Sequence, residues 1–175
     1  MGWHNRIERN ILCNGGVSMK INVKKLVICI AIPLAVGALA ALLTRGAVAD
    51  FSALEKPPFA PPAWLFPVVW TILYTLMGIS SYIISEAKAA DGEKEKALTV
   101  YFYQLAVNFL WPIFFFDFGW YLFSFFWILL LWLLVLHMIR FFAMIYKPAA
   151  WLNIPYIIWL TVAAYLNFGV WWLNR

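Results

Sequence analysis

Charged side chains are scarce in this sequence, and it has no long polar stretch that could form a separate soluble domain. Charged residues make up 12% of the 175-residue chain and hydrophobic residues 65%, whereas soluble domains contain roughly 25% and 45–50%. Such a composition excludes an ordinary soluble protein, and we predict an integral membrane protein.

The residues that build metal centres, disulfides and catalytic sites are also few. Cys13 and Cys29 lack metal-ligand spacing, and Cys29 lies in an apolar segment, so we predict no disulfide between them. His137 stands alone, and no nucleophile triad, zinc pattern or phosphate-binding loop occurs. The acidic residues in or beside apolar segments lie at their ends: Asp50, Glu55, Glu86 and Asp117. We therefore predict no catalytic residue, no metal site and no required cofactor.

Five apolar segments are each near the roughly 20 residues that a helix needs to cross a bilayer. They predict an all-α membrane protein built as a bundle of five transmembrane helices. The predicted spans are 26–44, 63–85, 97–116, 120–144 and 150–173. The segment between the second and third spans, EAKAADGEKEK, is interpreted as a solvated turn. Gly37 and Ala41, four residues apart in the first span, indicate a close helix contact.

The basic residues indicate an orientation in the membrane. Ten Lys and Arg residues lie before the first span, between spans two and three, or near the end of span four, and three lie on the opposite side. This distribution predicts a cytoplasmic N-terminus and an outside C-terminus, in a bacterial cell membrane. Because the basic residues sit at helix ends rather than in a stripe, no nucleic-acid partner is expected.

The first eighteen residues differ from the apolar remainder. Met19 opens MKINVKK, a lysine-rich entry to the first span. Gly15 and Gly16 can be encoded by a sequence resembling a bacterial ribosome-binding site upstream of that methionine. We hypothesise that translation starts at Met19, so that residues 1–18 are a non-native or disordered extension and 19–175 form the membrane domain.

Polar residues inside the third span share one face of the helix. Gln104, Asn108, Trp111 and Phe115 are spaced so that they lie within roughly 60° of one another. Amides in a lipid-embedded helix should face protein or a cavity. Two interpretations stay open: hydrogen bonds between helices, or a ligand pocket of amides and aromatic rings.

Two further spans have faces that can point inward with this one. Each contributes a tryptophan in or near the middle of the span, Trp70 in the second and Trp159 in the fifth. The residues on these faces are Trp70, Tyr74 and Ser81 in the second span, and Pro155, Trp159, Ala163 and Leu166 in the fifth. Trp70, Trp111 and Trp159 are therefore candidate ligand-stacking residues.

Three blocks of the sequence resemble the signature blocks of the tryptophan-rich sensory protein and translocator protein family (TspO/MBR). The blocks are KPPFAPPAWLFPVVWTILYTLMG (56–78), QLAVNFLWPIFFF (104–116) and PYIIWLTVAAYLNF (155–168). The resemblance covers about residues 20–175. It implies a five-helix bundle, frequently a homodimer, that binds porphyrins in a pocket under the first loop.

The resemblance also assigns site residues. The matching positions are Trp70, Gln104, Asn108, Trp111, Trp120, Trp159, Ala163 and Leu166, and Tyr74 lies on the same face as Trp70. Two features depart from the family pattern. Phe59 stands where the family's loop usually carries a tryptophan. Arg175 lies ten residues after Tyr165, which is too far for the cholesterol motif of animal members. A sterol role is therefore not expected.

The first loop is stiffened by proline. Pro57, Pro58, Pro61 and Pro62 fix backbone angles, so the loop loses little entropy when it orders. We predict a semi-rigid lid across the bundle mouth. The alternative, a plain signal for the next helix to start, accounts for Pro62 and Pro67 but not for all five prolines.

The function predicted is that of a membrane receptor or sensor that binds a flat tetrapyrrole such as protoporphyrin. Membrane lipid and a second copy of the chain are the other expected partners. Two alternatives stay open: light-dependent oxidative degradation of the bound porphyrin, and porphyrin transport.

Overall fold

The computed structural model describes residues 21–47 and 53–175, and helices are the only long elements among them. The predicted extension, residues 1–18, lies outside this part of the chain. The helices are α1 (Val23–Thr44), α2 (Leu65–Glu86), α3 (Asp91–Pro112), α4 (Tyr121–Ile145), the short α5 (Lys147–Trp151) and α6 (Ile154–Leu173). A π-helical segment, Ile113–Asp117, continues α3.

Five helical segments are long and apolar enough to cross a membrane, which confirms the predicted class. The third begins six residues earlier than predicted, at Asp91. Asp91 and Glu93 lie in its first turn, where acidic side chains offset the positive end of the helix dipole. Much of the segment interpreted as a turn is therefore helical.

The fifth span is interrupted rather than continuous. α5 ends at Trp151, and α6 begins at Ile154 with Pro155 in its first turn. A proline is tolerated there because its missing N–H would have no helical partner. The break sets which side chains of α6 point into the bundle.

The helices pack in a ring. α1 packs closely on α2, α3 on α4, and α4 on α6. α2 and α6 complete the ring through large side chains, including the edge-on contact of Phe66 with Trp159, rather than through an extensive close approach of their backbones. The aromatic seam between α2 and α6 is thus the part of the bundle where side chains, not backbones, hold neighbours together.

Glycines allow the close contact of α1 with α2. A Cβ on Gly78 would lie 2.5 Å from the Cα of Ile30, and a Cβ on Gly37 would lie 2.2 Å from the ring of Tyr74. The prediction for Gly37 is confirmed, but Ala41 is exposed and the neighbouring Ala40 is buried instead. Ala41 is one residue farther round the helix, on the outward face.

Candidate functional site

A chain of hydrogen bonds crosses the centre of the bundle from α2 through α3 to α6. Tyr74 Oη donates to Asn108 Oδ1 (3.5 Å), and Asn108 Nδ2 donates to Tyr156 Oη (2.8 Å). Tyr156 Oη donates to Gln104 Oε1 (3.1 Å), and Gln104 Nε2 lies 3.6 Å from Met77 Sδ. Both amides therefore bond to neighbouring helices, as the first interpretation of their shared face proposed.

Aromatic rings lie beside this chain of bonds. Trp70 stacks on Tyr74 with ring centroids 5.4 Å apart and meets Tyr156 edge-on at 6.1 Å. Tyr156 is buried and its hydroxyl is bonded, so it presents its ring to Trp70 as a fixed surface. The bonds and the rings together form one aromatic and amide centre on the inner faces of α2, α3 and α6.

Two of the predicted tryptophans have unused hydrogen-bond donors. The Nε1 atoms of Trp111 and Trp159 are buried and have no hydrogen-bond partner. Trp111 stacks on Phe115 at 5.2 Å, and Trp159 contacts Phe66 at 5.6 Å. A buried donor without a partner costs roughly 1–3 kcal/mol, so these two indoles are the groups that an incoming acceptor would satisfy.

The other predicted site residues lie apart from this centre or at its edge. Trp120 is half-exposed in a separate aromatic cluster at the start of α4, with its ring 6.2 Å from that of Phe114 and parallel to it. Ala163 is buried and Leu166 is partly buried on α6. The structure thus brings together Trp70, Tyr74, Gln104 and Asn108, but not Trp120.

Tyr156 is the central residue that sequence reasoning missed. The predicted inward face of α6 holds Pro155, Trp159, Ala163 and Leu166, but Pro155 is exposed and Tyr156 is buried. The sequence does contain a pattern that indicates Tyr156. Tyr156 and Asn167 are two of the few polar residues of this span, and their separation of eleven residues puts them on one face of the helix. The same argument had identified Gln104 and Asn108.

The proline loop is fastened to the C-terminal half of α6. The Glu55 backbone N–H donates to Asn174 Oδ1 (3.0 Å), and Asn174 Nδ2 donates to the Glu55 carbonyl (2.9 Å). The Tyr165 hydroxyl donates to the Pro58 carbonyl (2.9 Å). Pro57 is buried against Gly169, where a Cβ would come within 2.6 Å of the proline ring.

The remainder of the loop is less enclosed. Pro58 and Pro62 are exposed and Pro61 is partly buried. Phe59 has a φ of 62° and is 97% exposed. Pro57 and Pro58 also line an open, apolar groove of about 390 Å³ beside Phe168 and Trp172.

No cluster of three or more metal-ligating side chains occurs in residues 21–47 and 53–175. With five membrane-spanning helices around an aromatic and amide centre, the fold defines a polytopic α-helical membrane protein. The chain belongs to the TspO/MBR family, whose model matches residues 29–173.

Relatives from distant organisms match over most of the chain. A tryptophan-rich protein TspO of Chlorobaculum tepidum is 34% identical over 157 residues, which is 89% of this chain and 99% of that protein. The tryptophan-rich protein TspO of Archaeoglobus fulgidus is 37% identical, over 88% of this chain and 99% of its own length. The translocator protein of Ovis aries is 36% identical, over 71% of this chain and 75% of its own length.

Proposed function

We propose that this protein is a membrane receptor or sensor that binds a flat tetrapyrrole, such as a porphyrin, between α2, α3 and α6. The observation that carries the proposal is the pair of buried, unpaired indole N–H groups on Trp111 and Trp159. Trp111 lies on α3 and Trp159 on α6, the helix that also supplies the ring of Tyr156, and α2 supplies the ring of Trp70. A flat ligand with acceptor atoms at its edge would use both the rings and the donors.

The aromatic seam supports entry of a large ligand. Contacts such as Trp70 with Tyr156 and Phe66 with Trp159 join α2 to α6. These ring contacts can be exchanged for contacts with the ligand, while the close packing of α1 on α2 is kept. Gln104 and Asn108, already bonded, would hold the tyrosine rings in place rather than receive the ligand directly.

The proline loop would act as the lid of this pocket. Its fastening to Tyr165, Gly169 and Asn174 gives it a defined position at the end of α6. A loop held in this way can slow ligand escape without a covalent bond.

Binding of protoporphyrin IX to purified protein, followed in the dark and under illumination, tests the proposal. We expect saturable binding in the dark and the same porphyrin spectrum after illumination. Conversion to a new product that requires the protein would support light-dependent degradation instead. The stack of Trp70 on Tyr74 favours that second candidate, because adjacent indole and phenol rings can exchange an electron with an excited ligand. Dissolved dioxygen would be the oxidant, so this degradation should stop in oxygen-free buffer. Absence of saturable binding would contradict both.

We also propose that the N-terminal end of α1 faces the cytoplasm of a bacterial cell. The described residues place seven Lys and Arg residues near one end of the bundle: Lys24, Lys25, Lys88, Lys94, Lys96, Arg140 and Lys147. Arg45, Lys56 and Arg175 lie near the other end. The ion pair of Lys25 with Glu86 holds the start of α1 beside the end of α2, on the more basic side. The homodimer implied by the family resemblance stays a prediction.

Reporter fusions test this orientation. A phosphatase fused after Arg175 is expected to be active, as an enzyme that needs the oxidising exterior, and the same reporter inserted within residues 88–90 is expected to be inactive. A cytoplasmic fluorescent reporter at the same two positions serves as the control and should give the opposite pattern. Phosphatase activity at 88–90 alone would reverse the orientation and place the proline loop in the cytoplasm.

A further inference from the structure

Three buried polar atoms on three different helices have no hydrogen-bond partner. They are Trp111 Nε1 on α3, Ser124 Oγ on α4 and Asn167 Oδ1 on α6. Trp111 is 9% exposed, Ser124 0% and Asn167 2%. Each such atom in an apolar interior is costly to leave unpaired, so one group that satisfied all three would be strongly favoured.

Contacts between α3 and α4 place Trp111 and Ser124 on facing turns. The Trp127 indole donates to the Val107 carbonyl (2.8 Å), and Tyr121 meets Phe115 with ring centroids 5.2 Å apart. These two contacts define an antiparallel register between α3 and α4. Ser124 lies between Tyr121 and Trp127, so it faces the turn of α3 around Trp111.

Contacts between α4 and α6 place Ser124 within one helical turn of the level of Asn167. The Trp132 indole donates to Thr161 Oγ1 (3.1 Å), and Phe125 meets Phe168 with ring centroids 5.3 Å apart. Both pairs fit one antiparallel register, in which each residue toward the start of α4 faces one farther along α6. In this register Ser124 is level with Gly169, so Asn167 lies two residues, less than one helical turn, from its level. Both side chains are buried.

The three atoms specify the kind of group that would satisfy them. Trp111 Nε1 can only donate, and Ser124 can donate or accept. Asn167 Nδ2 already donates to the Ala163 carbonyl (3.1 Å), which fixes the amide with Oδ1 as an acceptor. A group that fits must therefore both accept and donate hydrogen bonds.

The surroundings favour an uncharged group. Residues 97–116, 118–139 and 150–174 contain no Asp, Glu, Lys or Arg, and His137, their one histidine, is thirteen residues from Ser124 along α4. No cation on these stretches is therefore near enough to neutralise a carboxylate. An ionised carboxylate would also place its charge against Asn167 Oδ1. A carboxylic acid in its protonated form accepts through C=O and donates through O–H, at no cost of an unpaired charge.

We propose that Trp111, Ser124 and Asn167 form a polar subsite that takes a protonated carboxyl group at the edge of the bound ligand. This subsite rests on the proposed function, and it adjoins the aromatic and amide centre through Trp111, one turn beyond Asn108 on the same face of α3. It assigns a role to Ser124 and Asn167, which the sequence pattern and the family resemblance had left without one.

The test compares protoporphyrin IX with its dimethyl ester, which keeps both carbonyls but cannot donate a hydrogen bond. The variant is Asn167→Leu, in which the Ala163 carbonyl keeps its bond within the helix. We expect the affinity for the acid to fall about fivefold, as for the loss of one neutral hydrogen bond, and the affinity for the ester to stay unchanged. Each ligand is compared with itself on wild-type protein, so that differences in detergent partitioning cancel.

Two further variants complete the design. Ser124→Ala should also weaken binding of the acid about fivefold, which keeps the test open if Asn167→Leu folds poorly. Tyr101→Phe is the matched control, because Tyr101 carries another buried hydroxyl on α3, ten residues before Trp111 and beside Ser81 of α2. It should leave both affinities unchanged.

Two outcomes would overturn the subsite. If Asn167→Leu and Ser124→Ala lower the melting temperature of the ligand-free protein and leave the ratio of acid to ester affinity unchanged, the three atoms hold only an internal water. If wild-type protein binds neither porphyrin, the proposed function fails and the subsite fails with it. If wild-type protein binds both porphyrins and the variants bind them with unchanged affinity, only the subsite is overturned.

Discussion

Replacement of Asn108 by alanine is expected to lower the free energy of unfolding by about 1–3 kcal/mol and to weaken porphyrin binding in the same protein. Asn108 accepts from Tyr74 Oη and donates to Tyr156 Oη. Without it, the Tyr74 hydroxyl has no acceptor in the apolar interior, and the ring of Tyr156 loses one of its two anchors. Stability and affinity should therefore fall together, since one set of bonds supports both.

A double-mutant cycle with Tyr156→Phe shows whether the two residues act as one unit. If they do, the double variant should be about 1 kcal/mol more stable than the sum of the single changes implies. Tyr103→Phe removes the hydroxyl of an exposed tyrosine on the same helix and is the matched control. Measurement requires reversible unfolding in detergent and porphyrin titration on the same preparations. Additive effects, or an affinity loss with unchanged stability, would contradict this account of the centre.

The sequence was sufficient to predict the number of membrane-spanning helices and the inward face of α3. Apolar length alone predicted five spans, and all five are present. The spacing of Gln104 and Asn108 predicts that both amides point to protein or to a cavity rather than to lipid, and both are buried and bonded. Such predictions succeed because lipid offers no partner to an amide, so the cost of the wrong orientation is large.

The rotation of α6 could not be predicted in the same way. Most side chains of this helix are apolar on every side, so its hydrophobic pattern does not distinguish the inward face from the lipid-facing one. Its orientation depends on the break between Trp151 and Ile154, which the apolar pattern does not show. Its mid-span position and the resemblance to known proteins both selected Trp159, and the structure adds Tyr156 as the residue that bonds to α3.

The contacts that hold the proline loop on α6 also could not be predicted from local sequence patterns. Glu55 and Asn174 are 119 residues apart, and their bonds join a backbone to a side chain. Gly169 could be interpreted from the sequence only as a small residue in a helix. The structure shows that the absence of a side chain at Gly169 lets Pro57 pack directly against α6.

Gly169 is therefore the position where the smallest change should have the largest effect on ligand release. In Gly169→Ala the new Cβ would lie 2.6 Å from Pro57, closer than carbon atoms can pack. The proline is part of a stiff loop, so the loop must move away from α6. Overpacking of this kind costs about 1–3 kcal/mol. If that energy is lost from lid closure, porphyrin should dissociate about 5- to 150-fold faster, with little change in the association rate.

The helix itself should not suffer, because alanine favours helix over glycine by about 1 kcal/mol. Gly46→Ala is the matched control, since a Cβ at Gly46 would meet nothing within 4 Å. Asn174→Ala releases the loop by a different route, through loss of both bonds to Glu55, and should speed dissociation in the same direction. Stopped-flow release of porphyrin from detergent-solubilised protein measures all three variants. If Gly169→Ala and Asn174→Ala release porphyrin at the wild-type rate while still folded, the loop fastened to α6 does not close over the ligand, and its prolines serve only to start α2.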